Sequence, residues 1–485
     1  MLKNQLQEEV HVATSTRDGE DDDEDDEDSV TPDTSTYTSD FEFEQIDTTK
    51  EEQQSQQQSQ SQLQRLHTLD DPAKFPNAWN LKAMLTLLGS FIGLIGSLGF
   101  VNTAGVISTY LSENTLKGES QTTISWIFSL YNFFAFGGCL ISGVVFDRFG
   151  CRIPVFCGGI AMFLGLLCTS FCYKVWQFIL AYGVLAGFGA AFTFGPFIAV
   201  LSHWFLSKRA LAVGAAYTGG GVGGVIFPLI FRALFPKVGF GWTIRVGAFI
   251  SLFFLLLGWA LVSDRNKEFA EYTEDNIFKQ IYDSIDFRIM IKNPLFTVIV
   301  TGLLFNGIAF LITLVELPTY STMRGFSESE SYLLIVVFNS FSIPGRIIPS
   351  FAADHGFGRF NTFCVINVLS LISFCVIWVP FGHWLKALFV FAGCFGFTSG
   401  SVLSLSASLV SSIVKTADVG KGLGTAFFIL SLGDLFGLPI ASAFINENPE
   451  SYDHLVYFLT SCAFVGACVS FVSRYMYGGF NLKPV

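Results

Sequence analysis

The sequence predicts an all-α membrane protein: twelve transmembrane helices in two six-helix bundles, preceded by a disordered acidic N-terminal tail. Three observations point there. Hydrophobic residues make up 51% of the 485-residue chain and the mean hydropathy is +0.51, far above that of a soluble protein of this length. From Met84 onward the chain resolves into twelve apolar runs, each near the roughly 20 residues that cross a bilayer. Finally, the polar loop Gly143-Val-Val-Phe-Asp147-Arg148-Phe-Gly150-Cys-Arg152 is echoed 207 residues later by Ser350-Phe-Ala-Ala-Asp354-His-Gly-Phe-Gly358-Arg359. The echo keeps the Asp, the Arg five places on and a glycine. A loop repeated half a chain apart marks a duplicated bundle.

Residues 1–78 hold 21 Asp/Glu and 5 Lys/Arg, with an acidic run from Asp21 to Asp28 and a Gln/Ser tract from Gln53 to Gln64. Such a segment has too little apolar surface to offset its ordering entropy, so a disordered tail is expected. It either solvates the protein or regulates it, offering phosphorylation sites or Lys3, Lys50 and Lys74 to turnover or signalling machinery. The tail is polar throughout, which leaves the first span to act as the insertion signal. The rest of the chain carries 19 acids and 23 bases, and this near-neutral balance implies no nucleic-acid partner.

In the first half (79–262) the apolar runs lie at 84–110, 121–145, 153–172, 176–202, 209–233 and 243–262. The second half (294–485) has them at 294–320, 329–352, 361–379, 384–409, 420–444 and 454–476. Between the halves lies one long polar linker, 263–293, where Ile277, Ile281 and Ile285 suggest a helix resting on the membrane surface. Eight spans are dense in Gly, Ser, Thr and Ala, with Gly219-Gly-Gly-Val-Gly-Gly224 the extreme case. Small residues let helices approach closely and, in bundles that rock, slide past one another. Twelve spans put both termini on one side. Loops and flanks of that side carry 16 Lys/Arg against 6 on the other, which makes it cytoplasmic. The ten Cys show no C-x-x-C pair and read as small buried hydrophobes, without disulfide or metal roles.

No Gly-x-x-x-x-Gly-Lys-Ser/Thr, His-Glu-x-x-His or Gly-x-Ser-x-Gly is present. Neither an ATP-driven pump nor an intramembrane hydrolase is indicated, and no cofactor is called for. Transport driven by a gradient remains. The pattern Gly-x-x-x-Asp-Arg-x-Gly-x-Arg resembles the cytoplasmic loop signature of the major facilitator superfamily. The resemblance implies a gating latch between the bundles, made by Gly143, Asp147, Arg148, Gly150 and Arg152 in the first half and by Asp354 and Arg359 in the second. Asp147 is expected to pair with Arg148, Arg152 or the positive N-terminal end of span 11 near Gly420.

Within that superfamily, four motifs resemble the monocarboxylate transporter family, its fungal branch above all, over about residues 79–476. They are Trp204-Phe-Leu-Ser-Lys208-Arg209-Ala-Leu-Ala212-Val-Gly214, Gly241-Trp242-x-x-Arg245, Pro344-Gly345-Arg346 and Gly433-Asp-Leu-Phe-Gly437-Leu-Pro439. The resemblance implies a secondary transporter working by alternating access, proton-coupled, with a small organic substrate: a monocarboxylate or a vitamin such as riboflavin. Two departures stand out. The Lys that animal members carry in span 1 has no counterpart around Asn102-Thr-Ala-Gly-Val106, and Ser342 stands where they have an Asp one turn before the span-8 Arg. An uncoupled facilitative carrier is one alternative, favoured by Ser342. A transporter-like nutrient sensor signalling through its acidic tail is another. The plasma membrane is the expected residence, with an internal membrane such as the vacuole's as the alternative.

Ionisable residues inside spans are costly and are therefore functional candidates. Asp434 lies 14 residues into span 11, roughly 21 Å at helical rise, near the middle of a hydrocarbon core of about 30 Å. A carboxyl there must meet water, a partner or a proton, which makes it the candidate coupling group. Arg346, eight residues before Asp354, is expected near it, to pair with an anion or an aromatic ring system. Asn102, Asn132, Asn306 and Ser399 are expected to line the cavity. Glu316, beside Pro318 at the end of span 7, reads as a wet helix-end acid.

Overall fold

Among the described residues every regular element is helical, as a backbone that must satisfy its own hydrogen bonds inside hydrocarbon requires. The computed structural model describes residues 80–206, 208–269, 290, 293–414, 419–444 and 451–479, all within one compact unit, Thr68–Val485. The acidic tail and the segment carrying Ile277, Ile281 and Ile285 lie outside the described residues.

Eleven helical runs among the described residues are long and apolar enough to cross a membrane. They are α1 (Leu81–Thr115), α2 (Gln121–Phe149), α3 (Arg152–Thr169), α4 (Val175–His203), the run Arg209–Leu261, α7 (Pro294–Met323), α8 (Glu330–Phe357), α9 (Arg359–Phe381), α10 (Leu385–Ile413), α11 (Val419–Phe444) and α12 (Ser451–Gly478). Arg209–Leu261 has 53 residues, roughly 80 Å at helical rise and far more than one crossing needs. It leaves helical geometry at Gly239 (φ 72°, ψ 178°), which divides it into α5 (209–238) and α6 (240–261). Glycine adopts a positive φ without steric cost. Twelve crossings result, and the expected break between 233 and 243 is this turn.

Polar caps set several helix starts, each satisfying an otherwise orphan N–H. Asn80 accepts from Lys82 N–H (3.0 Å), Ser120 from Thr123 (3.1 Å) and Asn293 from Phe296 (3.2 Å). The linker leaves the first bundle pinned to it. Asp264 accepts the Cys151 N–H at 2.8 Å, and the Trp204 indole donates to the Ser263 carbonyl at 2.7 Å.

Packing follows the small residues. α1 runs along α5 and α6, α7 along α12 and α8 along α10, while the bundles meet where α2 runs beside α11 and α5 beside α8. A Cβ on Gly219 would lie 2.0 Å from the Phe91 carbonyl oxygen, and one on Gly223 would lie 2.7 Å from the Gly99 Cα. Only glycine permits that approach of α5 to α1. On the outer surface, Phe249, Phe253, Phe464 and Phe471 are each more than half exposed, an arrangement that lipid accommodates and water does not. The cysteines divide rather than all being buried. Cys139, Cys151, Cys172, Cys364 and Cys462 are buried, whereas Cys157, Cys168, Cys375, Cys394 and Cys468 lie exposed among the outer apolar side chains. The hydropathy of a span does not separate lipid contact from protein contact.

Candidate functional site

A cavity of about 40 Å³ opens between α7, α10 and α11, with α2 of the other bundle and α9 completing its wall. Four expected site residues meet there: Asn132 from α2, Asn306 from α7, Ser399 from α10 and Asp434 from α11. Four rings, Phe136, Phe310, Phe395 and Phe427, line the same space. Asp434 is 2% exposed, and its Oδ1 has no hydrogen-bond partner. It sits level with Gly307 of α7, where a Cβ would lie 3.8 Å from that oxygen. Asn132 and Asn306 turn their amide donors back to the carbonyls of Phe128 (2.9 Å) and Gly302 (2.8 Å). The Asn132 oxygen is left buried and unpartnered. The wall therefore offers acceptors, set among aromatic faces.

Arg346 and Asn102 do not join this group. Arg346 is 1% exposed and reaches across the bundle seam, donating from Nη1 to the Tyr217 carbonyl of α5. Its Nε is unpartnered, and among the described residues it forms no ion pair with Asp434. The glycine run explains the fit. Cβ atoms on Gly220 and Gly221 would stand 3.3 and 3.2 Å from Arg346 Nη1, and one on Gly224 would stand 2.7 Å from both Asn102 Cβ and Asn339 Cγ. Asn102 donates to the Gly220 carbonyl at 2.8 Å, where α1 breaks between Val101 and Ala104. Thus one face of the run admits α1 and the next admits a guanidinium and two amides.

At one end of the helices the halves are joined by their repeated loops. Asp147 accepts the backbone N–H groups of Gly420 (3.1 Å) and Lys421 (2.9 Å) at the start of α11. Of the expected partners, the N-terminal end of α11 is the one these contacts define, while Arg152 turns to the Val262 carbonyl (3.3 Å). Arg148 is exposed, over the Phe149 ring at 5.6 Å. Gly143 lets the helices touch, since a Cβ there would lie 2.2 Å from the Gly420 carbonyl oxygen. Gly150 ends α2 with φ 77° and leaves room for the Asp264 carboxylate. In the second half, Asp354 accepts the Leu211 N–H of α5 at 2.8 Å and pairs with Arg359 at 3.2 Å.

Sequence reasoning passed over one residue and misplaced another. Arg209, noted only within a motif, is buried and donates to the Ser411 carbonyl in the last turn of α10, a cation at a negative helix end. Glu316 is not a wet helix-end acid: it is 1% exposed, and neither carboxyl oxygen has a partner. Pro318 marked a helix end in the sequence, but α7 continues to Met323 and buries the turn.

The profile of the Major Facilitator Superfamily matches residues 89–438. The chain belongs to the major facilitator superfamily. Among relatives, it is 35% identical over 425 residues to the riboflavin transporter MCH5 of Saccharomyces cerevisiae, covering 84% of this chain and 80% of that one. It is also 33% identical over 365 residues to the agnestins efflux protein AgnL12 of Paecilomyces divaricatus, covering 74% and 80%. The crystal structure of the human organic anion transporter MFSD10 (TETRAN) shares the fold, with a TM-score of 0.62 at 11% identity over 81% of this chain and 99% of its own. These superfamily members are transporters rather than enzymes, and membership gives this multi-pass membrane protein a transport role.

Proposed function

We propose that this protein is a proton-coupled secondary transporter that carries a small organic metabolite by alternating access. The observation that carries the proposal is Asp434, a buried carboxyl with an unpartnered oxygen on the wall of the central cavity. A charge at that depth costs on the order of 3 kcal/mol, so the group gains from holding a proton in one state and meeting water in another. Four Phe rings beside amide and hydroxyl groups suit a planar aromatic solute with a polar edge. Riboflavin is the leading candidate because a relative is named as its transporter, with monocarboxylates next. At about 40 Å³ the cavity is the size of a few waters, so the bundles must part to admit a metabolite. We place the face bearing Asp147 and Asp354, with both termini, in the cytoplasm on the basic-residue asymmetry, and the protein in the plasma membrane.

Uncoupled carriage is the second reading. It is favoured by Ser342, a neutral residue one turn before Arg346, whose guanidinium bonds the Tyr217 backbone carbonyl. Uptake into cells or vesicles across a panel of monocarboxylates and riboflavin, at two pH values, separates the two. Accumulation that follows the pH gradient is expected. Uptake that equilibrates without regard to pH would identify a facilitative carrier. Binding without uptake, with a signalling output lost on deleting 1–78, would identify a sensor.

A further inference from the structure

Glu316 is not alone in lacking a partner. One turn earlier in α7, Thr313 is fully buried, and its hydroxyl lacks even the common bond to the carbonyl four residues back. At about 100° per residue, Asn306, Thr313, Glu316, Tyr320 and Arg324 fall along one side of the helical path. The stripe begins at Asn306 on the cavity wall and ends where Arg324 donates to the half-exposed Asp453 at 2.6 Å. That end is opposite the Asp147 and Asp354 contacts. An unpaired carboxyl beside an unpaired hydroxyl, inside an apolar bundle, costs stability in proportion to its unmet hydrogen bonds. Binding a proton removes the charge and lowers that cost.

We propose that Glu316 is a second proton-binding site, lying between the central cavity and the face opposite the Asp147 and Asp354 contacts. This rests on the proton-coupled reading above. A hydronium ion at the Arg324–Asp453 end gives its proton to a Glu316 carboxylate oxygen, leaving water and the neutral acid. The acid later releases it toward the cavity: the Glu316 O–H bond breaks, each relaying hydroxyl or water oxygen accepts one proton and passes one on, and an Asp434 carboxylate oxygen gains the final O–H bond. Glu316 lies nine residues beyond Gly307, roughly 14 Å along the axis, so the Thr313 hydroxyl and water must span the gap. Among the described residues, no surrounding charged group bonds either Glu316 oxygen. Toward the Asp453 end, α1 brings Glu113, α8 Glu330, α10 Lys386 and α12 His454; toward the cavity stand Asp434 of α11 and Arg346 of α8. Arg324 is held by Asp453 and Arg346 by the Tyr217 carbonyl, and none of these groups bonds Glu316.

Infrared difference spectra of the full chain in liposomes, taken through a pH titration, test the site directly. A protonated-carboxyl band is expected that titrates in the wild type, disappears in Glu316→Gln and persists in Asp434→Asn. It should return, shifted, in Glu316→Asp, which shows that the fold tolerates the position. Glu316→Gln should also lose pH-driven accumulation of tritiated riboflavin while retaining its exchange at equal concentrations. Wild-type and Glu316→Gln spectra that superimpose across the whole titration would overturn the proposal. Should wild-type uptake ignore pH, the coupling reading fails on its own, and the infrared band still decides Glu316.

Discussion

Asp147 and Asp354 hold matching places in the two halves, and each accepts backbone N–H groups from the first turn of a helix in the other half. Asp147 binds Gly420 and Lys421 of α11, at 3.1 and 2.9 Å, and Asp354 binds Leu211 of α5, at 2.8 Å. A carboxylate at a helix N-terminus meets both orphan donors and the positive end of the helix dipole. Both contacts lie at one end of the molecule, with the Arg209–Ser411 bond beside them, so that end is clamped three ways. In the alternating-access cycle proposed above, such a clamp opens on every turnover and controls rate more than affinity.

Replacing Asp147 with Asn keeps the shape and removes the charge. The loss should be about 1–2 kcal/mol, shifting the balance roughly 5- to 30-fold toward the state open at that end. Maximal transport should fall while substrate affinity changes less. Cys139, buried beside Gly143 and Gly420, should become reactive to a thiol reagent, read by site-resolved mass spectrometry. A normal maximal rate with Cys139 still protected removes the latch from the mechanism.

The same seam is tested without touching a charge. A methyl group on Gly143 must displace the Gly420 backbone, at a cost of about 1–3 kcal/mol to the clamped state. Gly143→Ala should therefore mimic Asp147→Asn. The double substitution should add much less than the sum of the two, because both break one contact. Full additivity would mean that the two residues act separately.

Arg346 should not tolerate Lys. Its planar fork lies against Gly220 and Gly221 and reaches the Tyr217 carbonyl, a geometry that a flexible ammonium does not reproduce. Uptake by Arg346→Lys is expected to be nearly as poor as by Arg346→Ala, and Gly221→Ala should impair transport by crowding Nη1. Wild-type rates in Arg346→Lys would reduce the residue to a point charge.

Asp434→Asn removes the titrating group from the cavity wall with little change of volume. Accumulation driven by a pH gradient should be abolished, whereas exchange at equal substrate concentrations should stay within about twofold of wild type, since binding contacts are kept. Vesicles with an imposed pH gradient provide the comparison. An unchanged pH dependence would make Asp434 structural and move coupling elsewhere.

Sidedness has its own test. Protease added outside intact cells should leave residues 1–78 and the 263–293 linker uncut, and should cut them once the membrane is permeabilised. Cleavage from outside would invert the proposed orientation.

Depth in the membrane was legible in the sequence because it is linear in residue number, at about 1.5 Å per residue. Span positions, a break between 233 and 243, the mid-helix level of Asp434 and the common end shared by Asp147 and Asp354 all follow from counting. Facing was not legible. Lipid and protein interior are equally apolar, so a spanning helix shows little contrast between its sides, and hydropathy cannot tell which neighbour a residue meets. Tertiary packing alone brought Asn132, Asn306, Ser399 and Asp434 to one cavity and sent Arg346 and Asn102 to the seam with α5. It also drew Glu316 inside, because α7 runs on past Pro318 and the surrounding helices close over it. The sequence by itself determined how far along the chain of spans each polar group lies, and the packing of helices far apart in the chain decided what each one touches.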